Sequence, residues 1–436
     1  MFTILRFLTV LFVLCAPAHA DFSVATSGGD RLDVKVWGEA NRGPLFIWLL
    51  NQYGETGRAD SLATALAAQG ASVWQVDLLE SLMRERTAEA IRNLDGVPVA
   101  SLLAAAVKTG RRPVVLVACD RMAAPALRGM REWQVQAQPR PSESVAGAVL
   151  FFPNLYRGTP IAGEEPELLD IVAATNLPVM IMQPALGANR ARLPALMSTL
   201  HAAGSGAYSW LVRDVRDYYL LQVEKPQSES LQEMAGKVPL AVEQAISATP
   251  RRLLATARLL AASGKPAGAR PMPASRGKAA SVATAPAYGL IERPRRPAPA
   301  LALSDARGKA QSLGQGRVTL VNFWATWCPP CVQEIPSMNR LAAAYDAKDF
   351  GIVSVNFKED PEHVLAFLKR VNVDFPVLLD RDGLASARWK VFAFPSTFLL
   401  DRRGNMRYSV NTAIEWDDAA VKAVIDNLLH EDPAAK

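Results

Sequence analysis

The chain is poor in the side chains that do much enzymatic work, with four histidines and four cysteines in 436 residues. It has no long block of like charge. After the first twenty residues it also lacks any apolar run approaching the roughly twenty residues needed to span a bilayer. Its formal charge of +6 is local: between Gly264 and Pro299, seven basic residues (Lys265, Arg270, Arg276, Lys278, Arg293, Arg295, Arg296) stand against the single acid Glu292. The flanking parts are therefore near neutral, and nothing in them calls for a nucleic-acid partner. What is present is a globular composition, 50% hydrophobic and 21% charged, at a length that favours two domains.

Residues 1–20 read as a secretory signal. Arg6 supplies the positive end, Phe7 to Cys15 the apolar core, and Ala18-His19-Ala20 the small-x-small cleavage site before Asp21. The apolar core is too short for a comfortable span, so cleavage is expected over anchoring, and Leu14 before Cys15 argues against lipidation. Export to the periplasm is the expected localisation. Cys15 leaves with the signal, so the mature chain keeps Cys119, Cys328 and Cys331.

Outside the cytosol a close cysteine pair ordinarily reads as a structural disulfide. Cys328-Pro329-Pro330-Cys331 reads otherwise, because it follows the apolar run Val318-Thr319-Leu320-Val321-Asn322-Phe323-Trp324 and opens a helix. Backbone N–H groups at a helix start stabilise a thiolate and lower its pKa below the free value of roughly 8.5. The spacing i, i+3 lets the second sulfur close on the first, and so small a loop adds little stability by chain entropy.

Along the chain, residues 21–235 alternate strand-like and helix-like runs. Strands are expected at 45–50, 72–76, 114–118, 148–152, 179–182 and 208–212, with helices such as 59–69, 99–109 and 193–203. Near-continuous apolar strands between helices predict a mostly parallel sheet covered on both faces. Residues 236–263 form a helical segment that Pro250 is expected to break. Residues 264–299, rich in Pro, Ala, Gly and Ser, are expected to be a disordered tether; contact with anionic lipid headgroups is the rival reading of their charge. The segment 300–436 reads as a smaller α/β domain.

This last domain resembles the thioredoxin superfamily, and within it the exported TlpA/ResA-like thiol–disulfide oxidoreductases. The resemblance rests on Asn322-Phe323-Trp324-Ala325-Thr326-Trp327-Cys328-Pro329-Pro330-Cys331 with Glu334 and Pro336 behind it. It rests further on Val355-Asn356-Phe357-Lys358-Glu359, and on Phe375-Pro376-Val377-Leu378-Leu379-Asp380 followed by Phe394-Pro395-Ser396-Thr397-Phe398. It implies Cys328 as the attacking thiolate at the exposed helix end and Cys331 as the shielded resolving thiol. It also implies Pro395 as a cis proline, and a substrate rim of Trp327, Pro329, Pro330 and Phe394. Asn322 stands where thioredoxin carries a buried Asp, and Glu359 is matched to the family's glutamate as the base for Cys331. Glu334 is left open between contact with the active helix and solvent. Trp324 is expected in the core. The redox-active disulfide is the only redox group implied, with no cofactor or metal. The implied partners are a disulfide-bearing exported client and a membrane electron donor.

The segment 21–235 resembles an α/β-hydrolase fold, a three-layer sandwich in which Asn51-Gln52-Tyr53-Gly54 follows one strand and Ala118-Cys119-Asp120-Arg121-Met122 forms a turn after another. On the G-x-S-x-G pattern Asp120 takes the nucleophile position, but Met122 fits so tight a turn poorly. The catalytic His is missing: Val212-Arg213-Asp214-Val215-Arg216-Asp217-Tyr218-Tyr219 stands in its place, and His201 lies within an expected helix. Hydrolysis is not expected; Cys119 reads as a small buried hydrophobe and Asp120 as a turn residue. The expectation is an exported disulfide reductase, with a client-dedicated redox domain beside a partner-recognition module as the alternative.

Overall fold

The computed structural model describes residues 21–38, 43–54, 57–110, 113–136, 144–220, 240–264, 266, 268–273, 289–313 and 316–431. The expected signal at 1–20 and the tether's 274–288 lie outside the described residues.

The N-terminal sheet comprises β1 (Phe22–Ala25), β2 (Arg31–Trp37), β3 (Leu45–Leu49), β4 (Ser72–Val76), β5 (Val114–Cys119), β6 (Val145–Phe151), β7 (Val179–Pro184) and β8 (Ala207–Val212). Its order is β1-β2-β4-β3-β5-β6-β7-β8, parallel from β4 to β8, with β1 and β2 antiparallel. Both faces are buried, as the apolar strands require. Leu45, Ile47 and Leu49 share one cluster with the helices Val97–Lys108, Ala123–Gln136 and Leu193–Ala202. Phe46 and Trp48 share the other with Gly57–Ala67 and Leu240–Ala262. The helix at 240–262 runs unbroken through Pro250, contrary to expectation. Proline removes one ladder bond, but Thr249, Pro250 and Leu253 are buried against the sheet, and that packing holds the two halves in line.

The C-terminal sheet comprises β9 (Ile291–Pro297), β12 (Val318–Trp324), β13 (Phe350–Phe357), β14 (Val377–Asp380), β15 (Ser396–Leu400) and β16 (Asn405–Val410), in the order β14-β13-β12-β15-β16-β9. The hairpin of β10 (Ala302–Ser304) and β11 (Ala310–Ser312) forms a separate two-stranded sheet, with an isolated bridge from Asp305 to Leu378 of β14. β12, β13 and β14 are parallel; β15, β16 and β9 are antiparallel to their neighbours. Helices Pro329–Ala343, Pro361–Leu368, Leu384–Arg388 and Ala419–His430 accompany the sheet.

Part of the expected tether is thus ordered. β9 pairs with β16 as the edge strand, so this domain begins near residue 290 rather than 300. Among the described residues, arginines of the expected tether make protein contacts. Arg293 pairs with Glu164, Arg296 Nη2 donates to Gly163 O at 2.9 Å, and Arg270 Nη1 donates to Ala202 O at 2.9 Å.

The two domains pack directly. Ala162 joins the buried cluster around Phe398 and Met406, Ser409 Oγ donates to its carbonyl at 3.1 Å, and Asn411 Nδ2 donates to Pro160 O at 2.7 Å. Arg192 Nη1 donates to Val391 O at 3.2 Å while its guanidinium lies 5.3 Å from the Phe392 ring. These contacts come from loops that follow β6 and β7, at the carboxyl end of the larger sheet.

Candidate redox site

β12 is buried along its whole length and delivers the chain into the turn at Ala325–Trp327, after which the helix Pro329–Ala343 begins. Pro329 and Pro330 occupy its first two positions, where a missing N–H costs no intrahelical bond. Cys328 is the N-cap, and its Sγ accepts the Cys331 N–H at 3.3 Å. The two cysteines form a disulfide with Cα atoms 5.3 Å apart. Neither sulfur-bearing residue is open to solvent, Cys328 being 5% and Cys331 1% exposed. Exposure therefore does not separate an attacking from a resolving thiol.

Around the pair stand the expected rim residues. Trp327 is exposed and meets the Phe394 ring edge-on at 5.8 Å, and Phe394 packs against the cluster holding both cysteines. Pro329 and Pro330 are exposed. The Phe394–Pro395 peptide bond is cis. Trp324 is core, its Nε1 donating to Ser354 Oγ at 3.2 Å.

Two carboxylates flank the motif from different sides. Glu359 is buried. It accepts from Thr326 N at 2.8 Å, Thr326 Oγ1 at 2.7 Å and Asn356 Nδ2 at 2.7 Å, which ties the turn before Cys328 to β13.

Glu334, one turn beyond Cys331, is buried as well. It accepts from Asn322 Nδ2 at 2.9 Å and from Trp416 Nε1 at 3.0 Å, and burial pushes its pKa up from 4.5 to about 7. Asn322, which cannot titrate itself, also donates to Thr397 Oγ1 at 2.9 Å. The carboxyl absent from β12 is thus supplied by the helix. The sequence signal for Glu334 was its i, i+3 relation to Cys331, which puts both on one helix face.

In the N-terminal domain Cys119 is buried and unpaired, and burial raises its thiol pKa, as fits a small hydrophobe. Asp120 sits at the end of β5 with φ of 48°. His201 is exposed on its helix, with Nε2 2.8 Å from Ala207 O. The stretch after β8 places Asp217 inside, where it accepts from Ala188 N at 2.9 Å. Desolvation raises its pKa to about 6.

A Cys-x-x-Cys at a helix N-terminus, on a sheet mixing parallel and antiparallel strands beside a cis proline, defines a thioredoxin-fold dithiol–disulfide protein. The comparisons agree. Residues 294–425 match the Redoxin family. The thioredoxin-like protein YneN of Bacillus subtilis is 38% identical over 112 residues, covering 24% of this chain and 65% of that protein. The thiol-disulfide oxidoreductase ResA of Geobacillus thermodenitrificans is 33% identical over 123 residues, 28% of this chain and 71% of that protein. The thiol:disulfide interchange protein DsbE of Allochromatium vinosum is 34% identical over 134 residues, 28% of this chain and 72% of that protein. Through this domain the chain belongs to the ResA-like family of thiol-disulfide oxidoreductases.

Proposed function

We propose that the protein is an exported disulfide reductase in which Cys328 attacks a client disulfide and Cys331 resolves the mixed disulfide. The observation that carries this reading is the Cys331 N–H donated to Cys328 Sγ at the helix N-terminus. That contact favours the thiolate needed for attack. Resolution requires Cys331 to lose a proton in a shielded place. Glu334, with its pKa near neutral, is the group suited to take it. Glu359 instead holds the Thr326 turn. Trp327, Pro329, Pro330, Phe394 and the Pro395 segment form the rim that meets the client. A membrane donor restores the dithiol. Among the described residues no helix is long and apolar enough to cross a membrane.

The N-terminal domain we read as an α/β-hydrolase-like scaffold without hydrolytic competence. Eight mostly parallel strands under helices on both faces support the scaffold, as does the left-handed turn at Asp120. Among the described residues Asp217, not a histidine, stands in the loop where the triad's histidine is needed to turn over an acyl or ester intermediate. Its role would be to hold a partner at the redox rim, for which the direct packing of the domains is the favouring observation.

The reduction potential of the Cys328/Cys331 couple, together with Cys331→Ser used to trap mixed disulfides from an extract, tests the reading. A potential near that of thioredoxin, about −270 mV, supports a reductase, and one near the strong oxidant DsbA, about −120 mV, removes it. Reduction of a dedicated client that is lost on deleting 21–262, with a generic disulfide still reduced, identifies the first domain as the recruiting module.

A further inference from the structure

One residue of the N-terminal domain reaches the redox centre itself. Arg216 lies in the loop after β8, and that loop is fixed on several sides. Leu186 N donates to Val215 O at 3.1 Å, Asp217 accepts from Ala188 N, and Arg58 Nη1 donates to Tyr219 O at 2.9 Å. Val215 and Tyr219 are buried on either side of it. From this base the guanidinium crosses the domain boundary. Nη2 donates to Lys358 O at 3.0 Å and stands 3.7 Å from Glu359 Oε1, and the guanidinium lies 5.0 Å from the Trp327 ring. On the opposite side of the boundary Lys358 Nζ donates to Ala185 O at 3.1 Å. Nη1 is buried without a hydrogen-bond partner among the described residues. Burial lowers the Arg216 pKa, a cost that a residue serving packing alone would avoid by being apolar.

We propose that Arg216 is a positioning residue of the redox site, held by the N-terminal domain against Glu359 and Trp327, so that the thiolate-bearing turn depends on both domains. The inference rests on the reading of Cys328 as the attacking thiolate and deepens it. A guanidinium, planar and stacking, can lie on an indole face while its edge points at a carboxylate, which an ammonium does poorly. It balances the buried Glu359 charge, which otherwise faces the turn that carries Cys328 and opposes thiolate formation. The other charged groups around it are Asp217 and Asp360, which attract it, and Lys358, which opposes it; His363 lies 3.6 Å from Glu359. None of these supplies a fixed cation on the Trp327 side.

The test is the pH midpoint of Cys328 alkylation in the reduced full-length chain, with thermal unfolding alongside. Arg216→Gln is expected to raise the midpoint enough to slow alkylation at neutral pH about three- to tenfold, the effect of losing about half to one pH unit. Arg216→Lys, which keeps the charge, is expected to recover most of that rate. Glu359→Gln, which leaves the cation without the Glu359 carboxylate, is expected to move the midpoint the other way, and this arm stands even if Arg216→Gln does not fold. An unmoved midpoint in Arg216→Gln, or in Glu359→Gln, overturns the proposal, as does equal loss in Arg216→Gln and Arg216→Lys. The midpoint is read whether or not a disulfide is turned over, so failure of the reductase reading shows separately, as absent turnover by a chain whose Cys328 titrates as expected.

Discussion

Replacing Glu334 by Gln probes the buried carboxyl most sharply. In the folded chain its pKa is raised from 4.5 to about 7, with burial as the first cause and the bonds from Trp416 and Asn322 opposing it. Between those two pH values the folded state keeps a proton that the unfolded chain has released. Stability therefore falls as pH rises across this window, by 1.36 kcal/mol per pH unit and about 3 kcal/mol in all, and levels off above it. The group's contribution is fully present below the unfolded pKa and lost once pH passes the folded one. Gln is nearly the same shape but has no proton to lose. It also has one carbonyl oxygen where the carboxyl offers two, so either Asn322 Nδ2 or Trp416 Nε1 loses its acceptor, at a constant cost of about 1–3 kcal/mol. Denaturant unfolding of wild type and Glu334→Gln from about pH 4.5 to pH 8.5 separates these contributions. The wild-type excess in stability is expected to shrink by about 3 kcal/mol over the window, and the variant can become the more stable form at its upper end. A difference that stays constant with pH would show that Glu334 does not titrate there, and would remove it as the proton acceptor for Cys331.

Other outcomes follow from single sites. Trp389→Ala removes a fully buried ring packed on Phe323 and Phe398 at 5.4 and 5.1 Å, and is expected to cost about 3–5 kcal/mol in denaturant unfolding. Thr326→Val deletes the hydroxyl shared by Glu359 and His363; a loss of about 1–3 kcal/mol is expected, together with slower Cys328 alkylation. Unchanged alkylation would mean that the turn is held without that bond. Cys119, buried with its thiol pKa raised, should resist alkylation in the native chain near about pH 8 and react fully in denaturant. Mass-spectrometric counting of labels decides that case.

The redox half was the more legible in sequence because its chemistry is local. The run of apolar residues from Val318, the paired prolines and the i, i+3 cysteines together specify a strand, a helix start and a thiol pair within fourteen consecutive residues. The central strands were readable for the same reason, since burial on both faces makes them continuously apolar. β2 escaped because its residues alternate, with Leu32 and Val34 inward and Arg31 and Asp33 outward. β9 escaped because Ile291–Pro297 holds three arginines and two prolines, tolerable only on an edge strand. The difference in surroundings between Glu359 and Glu334 could not be read either. Which carboxylate is saturated with donors and which is merely buried depends on Thr326, Asn356 and Trp416, and Trp416 lies 82 residues from Glu334. Arg216 was visible only as part of a missing histidine motif, since its partners belong to the other domain.

The central claim is that the chemistry of this chain is dithiol–disulfide exchange begun by Cys328. The most direct measurement is the rate at which the reduced full-length chain reduces a protein disulfide, compared with Cys328→Ser and Cys331→Ser. Cys328→Ser is expected to be inert, and Cys331→Ser to stop after one attack as a stable mixed disulfide through Cys328. Retained turnover in Cys328→Ser, or a mixed disulfide formed through Cys119, would contradict it.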